Sequence, residues 1–339
     1  MPEVLVLFGG RSAEHEVSCV SAATVVDALI EAGHGVTLVG IDPAGGWHRV
    51  DPDSRPLAAA GPELTLSVPD GRLASSDGAV SYDVVFPVLH GPYGEDGTIQ
   101  GLLEVIGVPY VGAGVLASAA AMDKDLSNRL FREAGLPMAE FMSVERSGYT
   151  PGTHGEILEK FGLPLFVKPA ALGSSVGISK VAEDFELAEA MVKAFKHGDK
   201  ALVEEAITGR EIEVAVLEGP RTSVPGEVVT TGWYDYSAKY HDDATELLVP
   251  APLTDGEVRE VQDLAAAAFS VLGVAGLARV DFFYEEGGRG FLVNELNTMP
   301  GCTSRSMFPL LWEASGMPNA ELFDELVNLA VARGTPRGR

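Results

Sequence analysis

The chain has 339 residues, enough for two or three domains and a sizeable core, and its 46% hydrophobic and 22% charged content describes a folded protein. A formal net charge of −25 repels phosphodiesters and no local basic patch offsets it, so nucleic acid is excluded as an expected partner. Cys19 and Cys302 amount to neither a disulfide framework nor a zinc site, which makes a reduced cytoplasmic setting the expectation.

Residues 4–8 read as a buried strand, cut off by Gly9-Gly10-Arg11 and too short for a signal peptide or a membrane span. Residues 12–32 read as a helix, with Ser12 as N-cap and Glu14 and Glu16 in its first turn. Residues 35–41 follow as a second strand, so the chain opens as a βαβ unit of an open parallel sheet. The Pro-, Gly-, Asp- and Ser-rich stretch 42–81 reads as irregular or as small hairpins, and residues 82–89 resume the sheet. His90-Gly91-x-x-Gly94-Glu95-Asp96-Gly97 then puts a histidine at the carboxyl end of a sheet strand, where open α/β sheets bind ligands.

Gly112-x-Gly114-x-x-Ala117 imitates a dinucleotide fingerprint. No well-placed acid ends the strand that would follow, and a proline interrupts the one before, so a tight turn is the better reading. The Gly-Lys-Ser/Thr of a P-loop is absent from the chain. A domain boundary is expected near Met122, after an alanine-rich helix. Residues 165–169 and 178–181 read as strands around Lys168-Pro169-Ala170-Ala171-Leu172-Gly173-Ser174-Ser175-Val176-Gly177. The glycines let backbone N–H groups turn toward an anion, Ser174 and Ser175 add hydroxyls, and Lys168 adds a point charge; an ordinary Gly-Ser hairpin has the same composition.

Residues 200–205 read as another strand, ending in Glu204-Glu205, with Glu211 shortly after. Carboxylates at a strand end can accept from ribose hydroxyls, although acids in so acidic a chain also occur simply as surface. Residues 233–240, Trp-Tyr-Asp-Tyr-Ser-Ala-Lys-Tyr, form an aromatic loop carrying Lys239 and Tyr240. Residues 280–284 and 291–296 read as a hairpin about Gly288 that sets Asp281 opposite Glu295, with Asn297 in phase. Three oxygen ligands on one face suit a hard cation such as Mg²⁺, and Arg279, two residues before Asp281, can hold an anion beside it. Cys302 reads as a small packing residue without catalytic duty. The tail 319–333 is an amphipathic helix with Leu322, Phe323, Leu326, Leu329 and Ala330 on its apolar side.

Read in order, these segments resemble the D-alanine–D-alanine ligases of the ATP-grasp superfamily. The resemblance rests on Phe8-Gly9-Gly10-Arg11-Ser12-Ala13-Glu14-His15-Glu16-Val17-Ser18, residues 90–101, Met122-Asp123-Lys124, the loop 168–177, residues 236–240, Arg279-Val280-Asp281 and residues 294–306, and spans nearly the whole chain. It implies α/β and α+β architecture: an N-terminal open parallel-sheet (pre-ATP-grasp) domain followed by a two-part ATP-grasp module. Residues 1–122 would form the α/β substrate-side domain. Residues 123–213 would form the central subdomain with the Gly/Ser lid, and 214–335 the C-terminal subdomain with the metal and substrate sites.

The implied reaction joins two D-alanines for peptidoglycan synthesis, with ATP as co-substrate converted to ADP and phosphate through an acyl phosphate. The resemblance implies two Mg²⁺ ions, replaceable by Mn²⁺, on Asp281, Glu295 and Asn297. Lys124, Lys168 and Lys239 would neutralise phosphates, with Ser174 and Ser175 of the lid on the ATP. Glu204, Glu211, Ala206 and Ile207 would take adenine and ribose. Arg279 and Gly301 would form the oxyanion site. Glu14 would bind the first D-alanine, near His90, while Ser306 and Met307 hold the carboxylate of the second. Ser174 and Tyr240 would lock the loops shut by hydrogen bonds to Glu14. A cytoplasmic homodimer without membrane contact is implied as well. Two competing readings are a D-alanine–D-lactate ligase, disfavoured by the intact tyrosine segment at Tyr240, and a non-catalytic nucleotide-binding sensor, disfavoured by the complete set of metal and phosphate residues.

Overall fold

The computed structural model describes residues 1–68, 70–75, 78–173, 176–229 and 245–334. Its first apolar run is β1 (Glu3–Gly9), followed by α1 (His15–Glu31) and β2 (Gly35–Ile41). β3 (Trp47–Val50) pairs antiparallel with β2. The stretch expected to be irregular or hairpins holds a separate antiparallel sheet of β4 (Thr65–Ser67), β5 (Arg72–Ser75) and β6 (Gly78–Val80). β7 (Val84–Val88) returns beside β1, giving the order β3-β2-β1-β7 with β2, β1 and β7 parallel, as the βαβ reading requires.

Ser12 is not the N-cap of α1. The helix starts at His15 with Glu14 in the capping position and no side-chain cap. The Ser12 hydroxyl is committed elsewhere: it accepts from the Glu14 N–H at 3.1 Å and donates to the His90 carbonyl at 2.7 Å.

α2 (Thr98–Ile106) and α3 (Val115–Met122) follow, and the Gly112 turn between them is a packing device. Gly112 has φ +97°, and a Cβ added to Gly276 would stand 3.0 Å from the Gly112 Cα, so two backbones touch here. Arg333 donates to the Tyr110 and Gly112 carbonyls at 2.6 and 3.0 Å.

α4 (Lys124–Glu133) is capped by the Asp123 carboxylate and leads into β8 (Phe141–Glu145), α5 (Pro151–Phe161), β9 (Leu165–Pro169), β10 (Ser179–Val181), α6 (Asp184–Phe195) and β11 (Lys200–Glu205). Here the antiparallel order is β10-β9-β11-β8, and Ile157, Leu187 and Met191 of the helices bury against Val167, Ala201 and Val203. A third large sheet, order β15-β14-β12-β16-β17, comprises β12 (Arg210–Leu217), β14 (Gly226–Val229), β15 (Glu246–Leu248), β16 (Leu277–Glu285) and β17 (Gly290–Asn297), with β13 (Arg221–Thr222) paired to β12. α7 (Asp255–Val271) lies against this sheet, entered through a Thr254–Glu257 capping box.

α8 (Met307–Ala314) and α9 (Asn319–Arg333) close the chain. α9 does not pack on its sequence neighbours alone: Phe323 meets Phe86 of β7 edge-on at 5.9 Å, so the tail completes the core of the first sheet. Its buried side chains are Leu322, Phe323, Leu326, Val327 and Ala330; Val327 takes the place expected of Leu329, which is half-buried. Each of the large ones contributes about 1.5–3 kcal/mol of burial. A single core therefore joins the first and last elements, and the loops at the β7 end are held against the segment after β17. Among the described residues no helix is long and apolar enough to cross a membrane.

Candidate active site

The hairpin forms with the expected pairing: Arg279 stands opposite Asn297 and Asp281 opposite Glu295. Past Asp281 the register slips, so that Phe282 faces Val293 and Asn294 is an extra residue in β17. A bulge re-aims side chains, and both Asn294 and Glu295 turn toward lysines. Glu295 Oε2 lies 2.8 Å from Lys124 Nζ, and Asn294 Oδ1 lies 3.5 Å from Lys168 Nζ.

Asp281 is buried and receives three N–H groups. Arg279 grips it with Nε at 2.6 Å and Nη2 at 2.7 Å, and Asn297 Nδ2 adds a third bond at 3.0 Å. Arg279 also reaches Glu213, the β12 residue paired with Asp281, at 2.9 Å. Two carboxylates and an amide make a hard oxygen-donor set, fit for Mg²⁺ rather than zinc. Each carboxylate already faces a cation, Arg279 or Lys124, so the site is built around positive charge. Among the described residues no group of three or more His, Cys, Asp or Glu side chains is placed to hold a metal ion.

Across from the hairpin, Lys168 on β9 and Glu204 on β11 pair at 2.5 Å, both nearly buried. Adjacent acids on a strand point to opposite faces. Glu204 accordingly turns inward, while Glu205 turns out to Arg289 at 2.7 Å and accepts from the Glu140 N–H. Lys124 bridges the two sheets: its N–H donates to the Ala170 carbonyl at 2.8 Å and its Nζ to the Leu172 carbonyl at 3.4 Å. Burial pulls the Lys124 ammonium down, but Glu295 and, more weakly, Glu204 and Glu95 outweigh it, leaving the pKa above the ordinary lysine value. Between the sheets is a cleft lined by Asn128, Met138, Ala139, Glu204, Phe283, Val293 and Asn294. Glu211 sits on β12 opposite Phe283, and Ala206 and Ile207 leave the end of β11, all half-buried.

The third cluster gathers at the carboxyl end of β7. Glu14 is buried, and a Cβ on Gly91 would stand 2.2 Å from its Oε2, at a φ of +71°. Only glycine fits there. A Cβ on Gly173 would be 3.5 Å from the same oxygen, so the edge of the Gly-Ser loop borders Glu14. His90 is buried with both ring nitrogens engaged, Nδ1 by the Met299 carbonyl at 3.0 Å and Nε2 by Ser21 Oγ at 3.1 Å. Burial pulls its pKa down although Glu14 and the Met299 contact pull the other way.

Glu95 accepts from the Gly91 and Met299 N–H groups at 2.7 and 3.2 Å. Burial, and next the charge of Glu14, push its carboxyl up to about 8. Ser306 precedes α8 and its Oγ accepts from the Thr303 N–H at 3.0 Å; Met307 opens the helix, where backbone N–H groups lack intrahelical partners. Gly301 lies against Ser306, whose Oγ a Cβ would approach to 3.0 Å. Cys302 is fully buried, its thiol pushed up to about 12 by that burial, which agrees with a packing role.

Thus Glu14, His90, Lys124, Lys168, Glu204, Arg279, Asp281, Glu295 and Asn297 surround one region, linked by the contacts above. Ser174, Ser175, Lys239 and Tyr240 lie outside the described residues. Residue-by-residue reading missed Ser21, Asn128 and Glu213, and quoted Glu95 and Asn294 without a role. Glu95 had a signal, its place among three glycines after a strand. The others had none, since their partners are distant in sequence or depend on the bulge.

Residues 3–113 match the family model described as D-ala D-ala ligase N-terminus, and residues 130–328 match D-ala D-ala ligase C-terminus. The chain is 46% identical to the D-alanine–D-alanine ligase of Arthrobacter sp. (strain FB24), over 98% of this chain and 95% of the relative. It is 45% identical to that of Mycolicibacterium paratuberculosis (strain ATCC BAA-968 / K-10), over 98% and 97%. Among solved structures, the D-alanine–D-alanine ligase from Coxiella burnetii superposes with a TM-score of 0.86 at 36% identity, covering 98% of this chain and 96% of the other. The VanG D-Ala:D-Ser ligase from Enterococcus faecalis has the same TM-score at 32% identity, covering 97% and 99%.

Proposed function

The chain belongs to the D-alanine–D-alanine ligase family, and on that premise we propose that it joins two D-alanines into a dipeptide, converting ATP to ADP and phosphate. Adenine and ribose enter the cleft between the β9–β11 sheet and the β16–β17 hairpin, beside Glu204, Glu211, Ala206 and Ile207. Lys124 and Lys168, with Lys239, neutralise phosphate oxygens; the lid serines Ser174 and Ser175 cover them. Asp281, Glu295 and Asn297 would hold Mg²⁺, two ions by family resemblance with Mn²⁺ as a substitute, which would add further neutralisation of the phosphates. With the metal bound, Lys124 and Arg279, which face Glu295 and Asp281 in the ligand-free protein, would turn in part to the substrates.

The first D-alanine sets its ammonium on Glu14. Its carboxylate oxygen bonds to the γ-phosphorus as the bond to the β-phosphate oxygen breaks, so ADP leaves and an acyl phosphate remains. The second D-alanine, its carboxylate on Ser306 Oγ and the Met307 N–H, attacks the carbonyl carbon with its free amine. Arg279 and the Gly301 N–H stabilise the resulting oxyanion, and phosphate departs with the former carboxylate oxygen. Ser174 and Tyr240 bond to Glu14 and close the site over the intermediate.

One observation carries this reading: a buried acid for an ammonium, Glu14, and a lysine–acid set for phosphates border the same short loop, 170–173. The intact segment ending in Tyr240 supports an amine rather than a hydroxyl as second nucleophile. Incubation with ATP and D-alanine, D-serine or D-lactate, with products identified by mass spectrometry, tests it. D-alanyl-D-alanine is the expected major product at neutral pH; a depsipeptide as the main product, or ATP binding without turnover, would overturn it. Two buried free cysteines support a reducing, cytoplasmic location serving peptidoglycan synthesis. A homodimer is proposed from family resemblance, and light scattering of the purified chain would test it.

A further inference from the structure

The segment 298–302 follows the acid-bearing hairpin and carries Gly301. It is held at two points by side chains from the N-terminal part of the chain. Glu95 Oε1 accepts from the Met299 N–H at 3.2 Å, while His90 Nδ1 stands 3.0 Å from the Met299 carbonyl. A carbonyl only accepts, so Nδ1 carries the proton and, in the neutral ring, Nε2 is an acceptor. Ser21 Oγ, 3.1 Å away, therefore donates to Nε2 and in turn accepts from the Cys302 N–H at 3.2 Å. Glu95 Oε2 ties the network back to the Gly91 N–H at 2.7 Å.

Ser21 is fully buried on the core side of α1, where alanine would pack as well. A buried hydroxyl is costly unless it is hydrogen-bonded, and this one is bonded twice, once to the Cys302 N–H of the segment and once to His90, which itself holds Met299. Both backbone polar groups of Met299 and the N–H of Cys302 are fixed in this way. Gly301 lies between those fixed points and has no side chain of its own to orient it.

We propose that Ser21, His90 and Glu95 act together as a clamp that aims the Gly301 N–H at the oxyanion of the peptide-forming step, an inference that rests on the ligase reading above. All three are positioning residues, and His90, with both nitrogens committed, shuttles no proton. A mis-aimed donor slows attack of the amine on the acyl phosphate more than it slows formation of that acyl phosphate. The waiting intermediate is then open to water at phosphorus, a route that forms no carbonyl oxyanion: the water oxygen bonds to the phosphorus, the bond from phosphorus to the acyl oxygen breaks, and the proton passes to solvent. D-Alanine and phosphate are released, and ATP is consumed without dipeptide.

The test measures phosphate released per dipeptide formed, together with kcat and the KM for ATP. Wild type is expected at one phosphate per dipeptide. Ser21→Ala and Glu95→Gln should lower dipeptide kcat about tenfold, less than the ~100-fold that follows outright loss of an oxyanion donor, with KM for ATP within about twofold. Their phosphate-to-dipeptide ratio should rise to about two or more. His90→Asn, whose amide nitrogen matches Nδ1 and still donates to Met299, should stay closer to one than His90→Gln, which leaves that carbonyl without its donor. A ratio of one in Ser21→Ala and Glu95→Gln, with both rates falling together, would mean a structural role only and overturn the clamp. Equal impairment of the two His90 variants would overturn it too, and that pair carries the test if the other variants fail to fold. Wild-type protein releasing no phosphate in response to D-alanine would sink the ligase reading itself, which is a distinguishable outcome.

Discussion

Replacing Glu295 with glutamine separates two roles of one carboxylate, partner of Lys124 in the ligand-free protein and metal ligand in the working one. At the 2.8 Å Lys124–Glu295 separation, the gross attraction is about 6 kcal/mol for an effective dielectric of about 20. Desolvation offsets much of this, and the side chains keep 14% and 22% exposure, so the net loss falls below the ~3–5 kcal/mol of a fully buried pair, at about 2–3 kcal/mol. Lys124 would also lose the strongest of the influences that raise its pKa. With the 339-residue chain melting as one unit, this corresponds to a fall in Tm of roughly 3–4 °C. Turnover should fall far more, by about 100-fold or beyond, since a neutral amide weakens the hold on Mg²⁺. The assay pairs a thermal melt without nucleotide with dipeptide formation across a Mg²⁺ titration. Near-normal turnover at saturating Mg²⁺ would refute the metal assignment, and an unchanged Tm would refute the energetic role given to the pair.

Gly91→Ala should raise the KM for the first D-alanine at least tenfold and lower stability by about 1–3 kcal/mol, because φ is +71° and the new methyl would collide with Glu14 Oε2; kinetics and melts would check both. Arg279→Lys should cut dipeptide formation about 100-fold or more, since lysine cannot grip Asp281 with two parallel N–H bonds; retention of a tenth of the activity would contradict the oxyanion role. The Tyr284 hydroxyl, then the Thr254 N–H and hydroxyl, hold Glu257 down at about 2, and Glu257, with burial second, pushes Tyr284 up to about 12. The depressed acid contributes stability above its ordinary 4.5 that is lost as pH falls toward 2, whereas the raised phenol contributes below 10 and loses it as pH climbs toward 12. Tm measured against pH should therefore decline less steeply in both windows for Tyr284→Phe than for wild type.

The hairpin was legible because strand alternation and a glycine-rich turn are local signals, and they placed Asp281 opposite Glu295 as observed. The bulge was not, because one extra residue leaves no mark in an alternating pattern; Asn294 was consequently given no role. Position at a strand end was enough to pick out His90 and Lys168. Their partners, Met299 in the segment after β17 and Glu204 on β11, are distant in sequence, and nothing local encodes such pairs. Ser21 reads as an ordinary helix serine until Cys302, 281 residues away, is brought to it. The start of α1 misled for a related reason: Ser12 has cap chemistry, but the His90 carbonyl competes for its hydroxyl. In the tail, a 3.6-residue period found the apolar side of α9, while packing into the core it shares with the first sheet and α1 buries Val327 and leaves Leu329 half-buried.

The most direct measurement is the fate of oxygen. D-Alanine labelled with ¹⁸O in its carboxylate is incubated with ATP, Mg²⁺ and the intact protein, and the released phosphate is weighed by mass spectrometry. Ligation through an acyl phosphate requires that each phosphate carry one oxygen taken from the D-alanine carboxylate. Phosphate without label would mean that water attacks ATP directly, and absence of D-alanine-dependent phosphate would mean a nucleotide-binding protein that does not ligate.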